Sequence, residues 1–182
     1  MTRSKFYLIS NYFSGVGAAH NMLADAIEQK RSFIEQVCLS ATLIDGLLRL
    51  SLVMKQQLDT NKAILDRSLL YQGKRKKAKS IHERKVYERA STEKIITKAI
   101  CKELNFLFDQ RNIIAHRYLV SDIKTKDVIK VAKRYIKMYG IIMERHRVVH
   151  NKLVSKNIGM ARLFINAPSI QEIHKQIMWK HY

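Results

Sequence analysis

Apolar residues recur at intervals of three and four positions over several long stretches of the chain. The widest apolar stripe runs from Phe33 to Val53 and predicts the second part of a helix covering about Ala18 to Gln57, with a candidate break at residues 30–32. Similar patterns predict a helix from Ile95 to His116 and another from Thr125 to about Leu153. These three segments have the length and the apolar faces of helices that pack in a bundle.

Four shorter segments complete the prediction. Residues 1–15 are consistent with either a loose arm or a short helix, and Asn61 to Leu70 favours a short helix. Ser91-Thr92-Glu93-Lys94 has the composition of an N-terminal cap for the helix that begins at Ile95. Pro168 to Trp179 predicts a last amphipathic helix.

Few residues in the chain interrupt helices. Six glycines and one proline in 182 residues favour a nearly all-helical protein. The predicted fold class is therefore all-α, an antiparallel bundle of four to six helices. A length of 182 residues suits a single domain, residues 1–182, with a buried core.

The charge of the chain indicates a polyanionic partner. Lys and Arg number 34 against 15 acidic residues, for a net charge of +19. A lysine-rich segment at residues 73–90 is predicted to be exposed, with an insertion at residues 73–80, and to contact RNA phosphates. Its predicted RNA contacts are Lys74, Arg75, Lys76, Lys77, Lys79, Arg84 and Lys85. The alternative is a helix face whose charge only keeps the protein in solution.

The stretch Arg111 to Tyr118 contains the strongest candidate chemistry. Arg111, Asn112 and His116 form a motif, called here the Arg-His motif, that supplies a cation for a phosphate and a group that transfers protons near neutral pH. Such a pair can cleave RNA without a metal. Two other pairs have similar spacing, Arg145/His150 and Arg75/His82. The second lies in the lysine-rich segment and the first is a weaker competitor.

Helix geometry separates the members of the Arg-His motif. Asn112 and His116 are four residues apart and share one helix face, whereas Arg111 lies about 140° round the helix from His116. A long side chain, a distorted helix end or a second chain would be needed to bring them together. Asp45, predicted to be half-buried on the long second helix, is the candidate acid for orienting Arg111; the alternative is an exposed Asp45.

Arg111-Asn112 followed by His116, near the end of a long helix in a basic helical protein, resembles the HEPN superfamily. The resemblance covers the motif and, more loosely, residues 20–150. It implies a metal-independent endoribonuclease with no cofactor, acting as a homodimer with a shared cleft, in toxin-antitoxin, phage-defence or RNA-processing systems. Tyr118 resembles the tyrosine that a minimal nucleotidyltransferase antitoxin adenylylates in one subgroup.

Other chemistries and locations find less support in the sequence. No segment is predicted to be apolar over the length of a bilayer, so no membrane association is expected. His146 and His150 stand one turn apart without further metal ligands, so no metal site is expected. Cys38 and Cys101 are predicted to be buried, reduced thiols, which suits the cytoplasm. The main alternative to an enzyme is a non-catalytic helical module that binds nucleic acid or a partner.

Overall fold

The computed structural model describes residues 3–70 and 81–159, and every regular element in these ranges is helical. The prediction of an all-α bundle is confirmed. The helices, in chain order, are α1 (Arg3–Glu28), α2 (Phe33–Thr60), α3 (Arg67–Leu70), α4 (Glu83–Thr92), α5 (Lys98–Arg117) and α6 (Thr125–Ser155), with a 3-10 turn at Tyr118–Val120 between the last two.

Helix α2 is the centre of the bundle. It begins at Ser32, whose hydroxyl oxygen accepts a hydrogen bond from the Ile34 N–H at 3.2 Å, and it ends at Asn61 in the left-handed conformation. Its wide apolar stripe is buried against α1 on one side and α6 on another. The burial of side chains on so many faces is the reason that this helix carries few charges.

The contacts along α2 give the direction of its neighbours. Ser51 contacts His146 and Gln57 contacts Gly159, so α2 and α6 run parallel. Helices α5 and α6 run antiparallel, because Glu103 near the start of α5 is hydrogen-bonded to Arg134 and the short turn joins the end of α5 to the start of α6. Helix α4 is antiparallel to α5, which brings the first turn of α4 beside the last turns of α5.

Several predicted boundaries differ from the structure. Residues 3–15 belong to α1, which continues to Glu28, and the predicted break at residues 30–32 is confirmed. Residues 61–66 are not helical, so the helix predicted from Asn61 shrinks to the four residues of α3. The helix predicted over Pro168 to Trp179 lies outside the described residues.

The lysine-rich segment is the largest correction to the predicted secondary structure. Residues 83–92 form α4, and Val86, Tyr87 and Ala90 are buried in the core, so this part of the segment is a packed helix with one buried face, while the insertion predicted at residues 73–80 lies outside the described residues. The cap predicted at residues 91–94 is consequently wrong, because α4 continues to Thr92. Helix α5 begins instead at Thr97, whose side chain accepts from the Ile100 N–H at 3.2 Å.

In the part of the chain that the structure describes, one helix is long and apolar enough to cross a bilayer by length and composition, contrary to the prediction. Helix α2 contains an 18-residue window with a mean hydropathy of 1.7. However, 78% of that window is buried within the bundle, as in the core helix of a soluble protein. The two charged side chains near its middle, Asp45 and Arg49, pair with each other at 2.7 Å.

Candidate functional site

The Arg-His motif occupies the last two turns of α5, as the sequence predicts. Helix α5 ends at Arg117, and the 3-10 turn Tyr118–Val120 then leads into α6. The motif therefore lies beside the first turn of α4, at the end of the bundle where α5 and α6 are joined.

Arg111 faces the interior between α4 and α5. Its Nη1 donates to both carboxylate oxygens of Glu83, at 2.7 and 3.0 Å, and its Nη2 donates to the Asn112 Oδ1 at 3.1 Å. The side chain of Arg111 retains 21% of its exposure, and that of Glu83 retains 15%. Burial lowers the pKa of Arg111, but the hydrogen bond and the charge of Glu83 outweigh it, so the pKa lies above its usual value.

Glu83 is the partner of Arg111 that sequence reasoning missed. It lies in the lysine-rich segment, where an acid is easily taken for part of a solvated face. The signal that could have found it is the spacing of Glu83 and Tyr87, which places the acid one turn from a large aromatic side chain. The Tyr87 hydroxyl donates a hydrogen bond to the Glu83 carboxylate. The pKa of Tyr87 lies well above its usual value, mainly because the hydroxyl is buried and secondly because of the negative charge of Glu83.

Asp45 does not have the role predicted for it. Its Oδ2 accepts from the Arg49 Nε at 2.7 Å, whereas the carboxylate bonded to Arg111 belongs to Glu83. Arg49 is only 3% exposed and also donates to the carbonyl oxygens of Leu69, at 3.1 Å, and Ile81, at 2.8 Å. Asp45 is half-buried, as predicted, but its carboxylate neutralises the charge of Arg49. Arg49 in turn joins α2 to the chain segments on either side of residues 71–80.

His116 lies on the outer face of α5, one turn beyond Asn112. Among the residues that the structure describes, no hydrogen bond joins the imidazole to Arg111, which is partly buried while His116 is exposed. This agrees with the separation of about 140° expected from helix geometry. Within one chain, Arg111 is held inside by Glu83 while His116 remains exposed to solvent.

Aromatic and cationic groups surround Phe108, which is one turn before Asn112. The guanidinium groups of Arg84 and Arg111 each lie 4.7 Å from the ring centroid, and the His82 ring meets Phe108 edge-on at 5.6 Å. Arg84 also pairs with Asp109. Arg84, Arg111 and His82 therefore all contact the Phe108 ring.

The predicted RNA contacts fall into two groups. Lys74, Arg75, Lys76, Lys77 and Lys79 lie outside the described residues. Arg84 and Lys85 are on α4, where the Lys85 ammonium is 71% exposed and pairs with Glu88 at 2.9 Å. Both remain partly accessible, with one acidic partner each.

Tyr118 and the competing pair also have defined places. The Tyr118 hydroxyl is 3.0 Å from the Thr125 Oγ1, across the turn between α5 and α6. In the competing pair, Arg145 is exposed and His150 stacks on His146 at 6.3 Å. Burial and the neighbouring His150 lower the pKa of His146 to about 4, and its Nδ1 lies 3.0 Å from the Ser51 Oγ.

Cysteines and metal ligands add little to this site. Cys38 and Cys101 are free thiols, each partly buried, and burial raises the pKa of both. No group of three or more metal-binding side chains occurs in residues 3–70 and 81–159.

The chain matches no protein-family model, no curated protein and no solved structure.

Proposed function

We propose that the protein is a metal-independent endoribonuclease of the HEPN type, with the Arg-His motif as its catalytic centre. The observation that carries the proposal is the arrangement at the end of α5. Arg111 is oriented by Glu83 and Asn112 and its side chain remains 21% exposed, and the exposed residue His116 follows on the same helix. A cation held in place by hydrogen bonds from Nη1 to a carboxylate and from Nη2 to an amide oxygen needs little reorganisation when charge develops on a phosphate.

The proposed reaction needs the 2′-hydroxyl of RNA. His116 removes the proton of this hydroxyl as its oxygen attacks phosphorus, and the bond from phosphorus to the 5′-oxygen breaks. A proton delivered by the same imidazole, or by that of a second chain, leaves with the 5′-oxygen. The products are a 2′,3′-cyclic phosphate and a 5′-hydroxyl. Arg111 stabilises the extra charge of the phosphorane, and Asn112 positions the phosphate or the imidazole.

The separation of Arg111 and His116 within one chain supports a homodimer with a shared cleft. Partly buried Ile113 on α5 and exposed Val120 in the 3-10 turn after it flank His116 in the sequence, so a second copy that packs on this end of the bundle would bring its own motif close. In this proposal the protein acts in the cytoplasm as the toxin of a toxin-antitoxin or phage-defence system. Adenylylation of Tyr118 by a minimal nucleotidyltransferase would break the Tyr118–Thr125 contact and add a negative charge beside His116.

A second candidate function is non-catalytic binding of nucleic acid. The observation that favours it is the pairing of Arg111 with a buried network, because Glu83 and Tyr87 give the guanidinium a complete structural role. In that case the net charge of +19 supplies phosphate affinity and His116 is an ordinary surface residue.

Cleavage of RNA in EDTA distinguishes the two functions. Wild-type protein should generate 2′,3′-cyclic phosphate ends, and His116→Ala should abolish them while its circular dichroism stays helical. His150→Ala is the matched control, since it removes an imidazole from the competing pair and should cleave normally. Equal cleavage by wild type and His116→Ala would refute the catalytic role, and RNA binding without any cleavage would leave the second function.

A further inference from the structure

A cleft of about 370 Å³ lies at the other end of the bundle from the Arg-His motif. It is enclosed by the C-terminal half of α2, the loop between α4 and α5, and the C-terminal part of α6. Lys94 at this cleft precedes α5 and His116 lies in its last turn. Helix α5 has 20 residues, so the cleft and the motif are separated by about 30 Å.

The cleft is strongly basic. Lys55, Lys94, Arg145, Lys152 and Lys156 line it, against two carboxylates. Both acids already have cationic partners: Asp59 pairs with Lys55 and Glu93 pairs with Arg89. Among the described residues, no ion pair involves the other four cations. Four unneutralised positive charges therefore converge on one concave surface from two different parts of the fold.

The shape of the cleft distinguishes it from a solvated helix face. Ile95 and Val149, which are 6% and 9% exposed, form part of its apolar lining. A volume of about 370 Å³ is within the range of ligand sites, which combine an apolar surface with a few charged groups. Residues 160–182 carry no net negative charge to complement it, because they contain Arg162, Lys175 and Lys180 against one acid, Glu172.

The backbone at Lys94 is held firmly by the end of α4. Lys94 has a φ of 59°, its N–H donates to the Ser91 carbonyl at 3.1 Å, and the Ile95 N–H donates to the Ala90 carbonyl at 2.9 Å. This is a Schellman motif, in which glycine is the favoured residue at the position of Lys94. A lysine there is consequently replaceable by glycine without loss of the local fold.

We propose that this basic cleft binds phosphate groups of an RNA chain, as a second contact remote from the Arg-His motif. The choice of RNA rests on the proposed function, whereas the preference for phosphate rests on the four unpaired cations. RNA that spans both sites would gain affinity from Lys94, Arg145 and Lys152, and the bond cleaved at His116 would be unaffected. Free pyrophosphate has the same chemistry and is the alternative source of the ligand.

A pair of glycine substitutions tests the cleft. Lys30 closes α1 in the same Schellman geometry, with a φ of 50°, but lies outside the cleft. Lys94→Gly and Lys30→Gly each remove one charge and one left-handed lysine, so both should fold at least as stably as the parent chain. The parent carries His116→Ala, which keeps the RNA intact during binding measurements.

The ligand is a single-stranded RNA of about 12 nucleotides, which is long enough to span both sites at roughly 3.4 Å per stacked nucleotide. Its affinity is measured by fluorescence anisotropy at several salt concentrations. Lys94→Gly should flatten the slope of log affinity against log salt by about 0.7, and Lys30→Gly should leave it unchanged. Arg145→Gln with Lys152→Gln should flatten it by about 1.4, with exposed Lys133→Gln and Lys137→Gln as the matched pair. Pyrophosphate should compete for the same sites.

Identical slopes for Lys94→Gly and Lys30→Gly would overturn the proposal, whether or not the wild type cleaves RNA. Binding of pyrophosphate that depends on Lys94, with RNA binding that does not, would overturn RNA as the ligand. If RNA binding depends on Lys94 but the wild type cleaves nothing, the cleft is supported and only the nuclease function fails. The two proposals therefore fail independently.

Discussion

Breaking the ion pair between Arg111 and Glu83 should destabilise the fold far more than breaking a second Arg–Glu pair, between Arg134 and Glu103. In both, one guanidinium donates two hydrogen bonds to the oxygens of one carboxylate, at 2.7 and 3.0 Å in the first and 2.8 and 2.9 Å in the second. The pairs differ in burial. The side chains of the first are 21% and 15% exposed, and those of the second are 46% and 30% exposed.

The magnitude follows from what each substitution leaves behind. Glu83→Gln keeps an oxygen that can accept from Tyr87, but it leaves Arg111 without a countercharge in a mostly desolvated position. Removing one partner of a fully buried pair costs about 3–5 kcal/mol. Because Arg111 keeps some exposure and water screens it in part, we expect a loss of about 2–3 kcal/mol. Glu103→Gln should cost about 0–1 kcal/mol, as exposed pairs do.

Urea denaturation followed by circular dichroism measures the loss of unfolding free energy in both variants. An unchanged slope of this free energy against urea concentration would show that the denatured states are comparable. Raising the salt concentration should reduce the smaller effect of Glu103→Gln and leave most of the effect of Glu83→Gln, since salt screens exposed charges. Losses that agree within about 0.5 kcal/mol would refute the argument. Arg111 would then derive no particular stability from the interior, and Glu83 would not be the group that holds it.

Other substitutions and conditions test further parts of the structure. Burial lowers the pKa of His146 to about 4 in the folded chain, against 6.5 in the unfolded chain, so the unfolded chain binds the proton first as the pH falls. The free energy of unfolding should therefore decrease by up to roughly 3 kcal/mol between about pH 6.5 and pH 4. A His146→Gln variant should lack this part of the pH dependence in urea titrations. Gly140→Ala in α6 should raise the melting temperature, because open space surrounds the new methyl group and alanine favours helix by about 1 kcal/mol. Gly159→Ala should lower the melting temperature and cost more than about 1 kcal/mol of unfolding free energy, because φ is +57° and the methyl group would collide with the Gln57 side chain. Equal melting temperatures for the two alanine variants would contradict this reasoning.

Helices α2, α5 and α6 could be predicted because their apolar residues recur with the period of a helix. The run from Phe33 to Val53 and the run from Thr125 to Leu153 each become one continuous helix, and the break at residues 30–32 falls where predicted. This periodicity is local information: a stripe of apolar side chains can be buried only if the backbone is helical. The position of the Arg-His motif at the end of α5 follows from the same pattern.

Helix α4 was not predicted, because its short sequence reads as part of a charged run. Only three of its ten residues are buried, namely Val86, Tyr87 and Ala90. A helix of this length gains most of its stability from tertiary packing, here against α2 and α5, rather than from its own propensity. Because α4 continues to Thr92, the N-cap of the next helix is Thr97 and not a residue near Ser91 as predicted.

The partner of Arg111 was decided by the tertiary structure alone. The sequence indicated that an acid should orient this arginine, and Asp45 on the apolar helix was the candidate. The bundle instead pairs Asp45 with Arg49 one turn away and brings Glu83 to Arg111 across 28 positions of sequence. Hydrogen bonds between distant residues depend on how helices pack, and no local spacing specifies that packing. The same holds for the basic cleft, since Lys94 and Arg145 converge only because α4, α5 and α6 fold onto α2.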